Sequence, residues 1–398
     1  MKVSTAYPPA KRFTLASVAA VVFLSVTIAA QTSQPIPNDK PARPLNLLVL
    51  GDSVSWGQGL KDEHKAWYLV KTWLQQNYGR DVYEKIEAHS GATIGVPNEL
   101  RSDPSPALDG ELSRAAPTVN DQIDDALKAY ASPAQVDLVL VDGCINDLDS
   151  RRLLNAANTS IHIRDLANAK CGPPVEALLT RITSAFPSAH VIITGYYPIV
   201  TEDTANDLFM RALAKRFYLP EPGAARMNDK MLRARLIAIS REWYQTSTQM
   251  LQNAARNVDA RLATNGSHQR VLFADVAFQP EHSFAARHSW LWGFDASALR
   301  KFLIAISLGH VTLRPNDERR SPRSTLCERQ FKEPPNETRD EEQSRKDRLL
   351  RCRLAAVGHP NRKGAAIYAD AIGSQLKLIL RDTGWLNERR VAESPARQ

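Results

Sequence analysis

Short runs of consecutive apolar residues recur along the chain, separated by stretches whose apolar positions repeat every three or four residues. The clearest runs are Leu45–Leu50, Val136–Val141 and His190–Thr194, with Val82–His89 and Val271–Val276 as weaker ones. An apolar run with few polar interruptions fits a strand buried on both faces, as in a parallel sheet. The intervening stretches have helical spacing. Ala66, Leu69, Val70, Trp73 and Leu74 mark a helix over about Glu63–Asn77, and Val119, Ile123, Leu127 and Tyr130 mark another. Further helices are expected at Val175–Phe186 and from Arg362 to about Arg381. Strands alternating with helices indicate an α/β fold with helices on both faces of a parallel sheet. Two long stretches interrupt this alternation. Residues 202–264 read as mostly helical and amphipathic. Residues 280–354 begin with an aromatic and histidine-rich cluster and continue into a charged stretch from Arg314 to Arg353. Its mixed charge and Pro334-Pro335 predict a solvated loop or short exposed helix, either surface decoration or a cover over a site. Pro97–Pro117 reads as loop.

The candidate chemistry sits at the ends of these runs. Gly51-Asp52-Ser53-Val54-Ser55 follows the first strand directly, which places a serine on a tight turn beyond a strand's carboxyl end, where α/β folds bind ligands. Serine needs a base to become a nucleophile. Downstream lie Ser90-Gly91-Ala92, Gly143-Cys144-Ile145-Asn146-Asp147 and Gly358-His359-Pro360-Asn361. Taken in order, this Ser, Gly, Asn, His set resembles the SGNH (GDSL-type) hydrolases over roughly Leu45 to Leu380. The resemblance implies a flavodoxin-like three-layer α/β/α sandwich over residues 45–382, with a parallel central sheet and the two insertions. It also implies a carboxylic ester hydrolase. Ser53 would be the nucleophile and His359 the base. The oxyanion hole would be built from the backbone N–H groups of Ser53 and Gly91 and the side-chain amide of Asn146. Asp52 would fix the turn and Asp147 would orient its neighbours.

Two departures from the family pattern stand out. Gly143 and Asn146 are separated by two residues where the family has one, so either the loop bulges or Gly143 is not the family glycine. Position 356, three before the histidine, is Ala356 where the family commonly has aspartate. The carboxylate that would orient the imidazole is therefore missing. A backbone carbonyl near Ala356 is the local substitute, Asp295 a distant one, and weakened or lost catalysis a third outcome. The stretch from Gln279 to Phe294 would either line the substrate pocket or pack beneath the charged segment.

Composition adds compartment and partners. Residues 1–30 carry Lys2, Lys11 and Arg12 ahead of an apolar run ending Ala29-Ala30, which reads as an export signal or, failing cleavage, an anchor. Residues 31–44 read as a linker and 383–398 as a tail. The chain is expected to be secreted or periplasmic. Four cysteines in such a chain suggest disulfides: Cys327 with Cys352, leaving Cys144 with Cys171, is one of three possible pairings. The formal charge of +8 is mild for 398 residues and gives no case for nucleic acid. Membrane contact would come only through an uncleaved N-terminus or a lipid substrate. No metal-ligand spacing or phosphate loop is present, so no cofactor is expected. The substrate would be a lipid, short acyl or acetylated-carbohydrate ester. An acyltransferase and a non-catalytic binding protein on the same scaffold are the alternatives.

Overall fold

The computed structural model describes residues 43–96, 110–112, 118–220, 227–295 and 313–386. The expected export signal, most of the linker and most of the tail lie outside the described residues, as does most of Pro97–Pro117. Five strands, β1 (Leu45–Val49), β2 (Val82–Ile86), β3 (Val136–Val141), β4 (His190–Thr194) and β5 (Val271–Ala274), form one sheet in the order β2-β1-β3-β4-β5. All four pairings are parallel. This is the flavodoxin-like order, whose switch point lies between β1 and β3.

Alternation along the strands builds two cores. Leu47 and Val49 of β1, with Leu138 and Leu140 of β3, face α2 (Ala66–Tyr78) and the C-terminal helix. Leu48, Val139 and Val141 face the opposite way, toward α3 (Val119–Ala129), α6 (Pro173–Ala185) and α8 (Asp229–Thr264). The remaining helices among the described residues are α1 (Ser53–Trp56), α4 (Ile145–Leu148), α5 (Ser160–Cys171), α7 (Leu208–Phe217), α9 (Arg320–Gln330), α10 (Arg339–Arg353) and α11 (Arg362–Thr383).

The first insertion is helical as expected, as α7 and α8. The second meets the expectation of exposed helix only in part. Its charged part forms two helices, α9 and α10, joined by a disulfide between Cys327 and Cys352. Arg323 of α9 is fully buried. High charge density had indicated a solvated segment, but a few of these charges are paired inside and only the rest face solvent. The other disulfide links Cys144 to Cys171. β2 also stops at Ile86, short of the expected His89, because the chain turns there toward Gly91.

Candidate active site

The turn that carries Ser53 is built by crowding at the end of β1. Gly51 adopts φ +121°, and a Cβ there would meet Asp142 Oδ1 at 1.9 Å. Only glycine fits such a position. Gln122 of α3 holds Gly51 from both sides, accepting from its N–H (2.7 Å) and donating to its carbonyl (2.9 Å). Asp52 caps α1, its Oδ1 accepting from Val54 N at 2.8 Å. Ser53 is thus the first residue of the helix rather than its cap, and its N–H has no partner inside that helix.

Ser53 Oγ lies 2.7 Å from His359 Nε2, across 306 residues of sequence. Ser55, two residues on, gives its backbone N–H to Asp142 Oδ2 at 2.8 Å. His359 sits on a short loop before α11 whose residues explain the His-Pro-Asn-x-x-Gly spacing. Asn361 caps α11, accepting from the N–H groups of Lys363 and Gly364. Gly364 leaves room for Trp290: a Cβ there would lie 2.5 Å from the Trp290 carbonyl.

The aromatic stretch after β5 braces this loop. Trp292 N–H donates to the His359 carbonyl (2.7 Å), and Gly358 and Asn361 N–H donate to the carbonyls of Trp292 and Trp290 (both 2.8 Å). Tyr197 Oη adds a bond to the Gly358 carbonyl at 2.9 Å. His282 stacks on Trp290 at 3.3 Å between ring centres. Of the two readings of this stretch, packing is the one these contacts describe, in the specific form of a backbone splint beside His359.

Among the described residues, no carboxylate bonds His359 Nδ1, which is buried without a hydrogen-bond partner of good geometry. Asp295, the distant acid considered above, pairs with Arg320 at 3.2 Å. Burial pushes the imidazole down to about 4, with the Arg323 guanidinium adding to the effect; the carbonyls of Ala356, Val357 and Ala355 oppose it. At neutral pH the ring is therefore uncharged and can accept a proton.

The expected oxyanion groups lie on adjoining loops. Gly91 adopts φ +80°. Asn146 Nδ2 donates to the Ala92 carbonyl at 2.9 Å, tying the Asn146 helix to the Gly91 turn. Its second amide hydrogen is not used by that bond. Asp147 accepts from Ile94 N at 3.1 Å and is pushed up to about 6, chiefly by burial. The extra residue before Asn146 is taken up as a bulge: Cys144 has φ 110° and is pinned to α5 by its disulfide.

Asp142 escaped the reading of the sequence. It is fully buried, accepts from Asp52 N at 2.6 Å, and is pushed well up by burial and by the charge of Asp52. Asp52 is itself raised by burial, against hydrogen bonds from Val54 and Tyr196 that favour its charge. The available signal was an acid closing the apolar run of β3, on the strand beside β1. Among the described residues, no group of three or more His, Cys, Asp or Glu is placed to hold a metal ion.

A family model described as the GDSL-like lipase/acylhydrolase family matches residues 49–299. No curated protein matches the chain. Among solved structures, an extracellular lipase from Streptomyces rimosus is similar at 14% identity and TM-score 0.41, over 83% of this chain and 99% of that one. Phospholipase A1 from Streptomyces albidoflavus NA297 is similar at 13% identity and TM-score 0.40, over 83% and 99%. Est24, a carbohydrate acetylesterase from Sinorhizobium meliloti, is similar at 13% identity and TM-score 0.32, over 61% and 87%.

Proposed function

The chain belongs to the GDSL-like lipase/acylhydrolase family and is a carboxylic ester hydrolase, and we propose that it works through an acyl-enzyme on Ser53 with His359 as its general base. The observation that carries this reading is the 2.7 Å contact between Ser53 Oγ and His359 Nε2. In the first half-reaction Ser53 Oγ attacks the ester carbonyl while His359 Nε2 takes the hydroxyl proton. The tetrahedral intermediate collapses, and the departing alcohol receives that proton. In the second half, water attacks the acyl-enzyme, its proton passes through Nε2 to Ser53 Oγ, and the acid leaves. The oxyanion of each intermediate is held by the N–H groups of Ser53 and Gly91 and the amide of Asn146.

With Ala at 356, no carboxylate at that position orients the imidazole. The base must be neutral with its proton on Nδ1, and the carbonyls of Ala355 to Val357 are the groups that favour the charge it gains. This makes the pair a Ser–His dyad. We assign the substrate to lipid, short acyl or acetylated-carbohydrate esters, and the protein to an exported compartment. The two disulfides and the charged, then apolar, N-terminus support export. The test is hydrolysis of p-nitrophenyl esters from acetate to palmitate by the protein and by Ser53→Ala. Activity that disappears in the variant supports the dyad, and the preferred chain length separates the substrate classes. Activity that survives Ser53→Ala overturns the assignment.

A further inference from the structure

Glu111, Arg323 and Asp317 form an ion cluster whose side chains are wholly inaccessible to solvent, with Arg323 Nη1 2.6 Å from Glu111 and Nη2 2.5 Å from Asp317. Clusters of this kind are a poor way to stabilise a junction. Desolvating three charges costs enough that well-packed apolar residues of similar volume often do as well or better. Its connections suggest another purpose, because each arm leads to a different part of the site.

The Glu111 arm reaches the nucleophile. Glu111 accepts from Trp56 Nε1 (3.0 Å), and from Gln58 Nε2 at both its carboxylate (3.0 Å) and its backbone carbonyl (2.8 Å). Trp56 and Gln58 belong to the turn after Ser53, where the N–H groups of Gly57 and Gln58 return to the Ser53 carbonyl at 3.1 and 3.0 Å. The same segment reaches the Gly91 turn, since Ser90 N–H donates to the Gly110 carbonyl at 2.9 Å.

The Asp317 and Arg323 arms reach the base. Glu318 and Arg319 N–H both donate to the Gly59 carbonyl. Gly59 has φ +82°, and a Cβ on it would lie 2.7 Å from Ala356 Cβ and 3.0 Å from Asp317 Cβ. The nucleophile segment, the insertion and the turn before His359 therefore meet at one point, beside the position where the family aspartate is absent. Arg323 Nε also points at the Arg353 carbonyl (3.4 Å), at the end of α10, from which the chain runs directly into Leu354–His359.

We infer that the buried Glu111–Arg323–Asp317 cluster is a positioning device that sets His359 against Ser53, doing through the backbone what a carboxylate at position 356 would do by direct contact. The inference rests on the dyad reading above. It makes Arg323 a positioning residue carried by the insertion, and it gives the α9–α10 pair a role in the reaction without placing it over the substrate.

Two variants test it: Glu111→Gln, which removes one charge and keeps the shape, and an apolar triple variant, Glu111→Leu/Asp317→Leu/Arg323→Met. A merely structural cluster would tolerate the triple variant, with stability and turnover retained together. Positioning predicts that folded triple variant, with Tm near the parent's, loses about tenfold or more in kcat while KM moves less than about threefold, since a 1 Å misplacement can cost on the order of a hundredfold. Glu111→Gln should show the same kcat-against-KM split at smaller size, and it decides the question if the triple variant does not fold. A kcat within about twofold of the parent in folded Glu111→Gln, or in the folded triple variant, overturns the inference. Labelling of the parent with a fluorophosphonate keeps the two readings apart. Failure to label Ser53 sinks the dyad, whereas normal labelling with an unaffected kcat in the variants sinks only the positioning role.

Discussion

Ser53 and His359 meet at 2.7 Å, but the segments that carry them are held in different ways. Ser53 sits one turn beyond a central strand, and its surroundings come from the sheet and the helices against it: Gly51 against Asp142, Gln122 across Gly51, Asp52 capping α1. His359 sits on a loop far along the chain, and its supports come largely from outside the sheet: the Trp290–Trp292 splint and the turn beside Gly59 and Asp317, with Tyr197 after β4 adding a bond to the Gly358 carbonyl. A parallel sheet fixes what lies at its strand ends almost automatically. A residue on a late loop needs partners of its own, and here several of them come from the insertion.

The largest effects should fall where the two regions meet. Ser53→Ala and His359→Ala should each lower kcat by roughly a thousandfold or more, and the double variant should be no worse than either, because the two act as one unit. Additive losses would show that they do not work together. On the sheet side, Gly51→Ala places a methyl on Asp142 at a positive φ. It should cost about 3 kcal/mol of stability from backbone strain and overpacking together, read as a fall in urea midpoint. An unchanged midpoint would mean that the turn relaxes. On the insertion side, replacing Cys327 and Cys352 by serine should cost on the order of 3 kcal/mol through chain entropy, measured in the same way. If the insertion supports His359, this variant should lose turnover before it loses global structure.

The pH dependence sharpens the same contrast. If His359 is the base, the neutral imidazole is the active form, and kcat/KM should fall as pH drops through about 4, where burial and Arg323 place His359. A limb near 6.5, the ordinary histidine value, would show a solvated ring. The smallest effect should come from Asp295→Asn. With Asp295 paired to Arg320 rather than to the ring, kcat should stay within about twofold, whereas a loss comparable to that of His359→Ala would make Asp295 the missing acid.

The sheet side was the more legible in sequence. Apolar runs marked β1, β3 and β4 to within a residue, because strands buried on both faces leave no polar register to misread. The glycine, asparagine and histidine positions could be aligned to a family pattern because their backbone requirements are local. Asp142 was not legible, since an acid at a strand end looks like the start of a loop until the neighbouring strand is placed beside it. Arg323 was less legible still. It lies among many charged residues, and nothing in their order distinguishes the one that turns inward to Glu111 and Asp317, contacts that are respectively 212 and 6 residues away in sequence. Pairing of buried charges is a tertiary property, and charge density along the chain reports only the solvated majority.

The most direct test of the dyad is intact-mass and peptide analysis after reaction with a fluorophosphonate, run on the parent protein and on His359→Ala. One adduct on the peptide containing Ser53, formed rapidly in the parent and far more slowly in the variant, is the predicted result. An adduct on another residue, or equal labelling rates in both proteins, would contradict the pairing of Ser53 with His359.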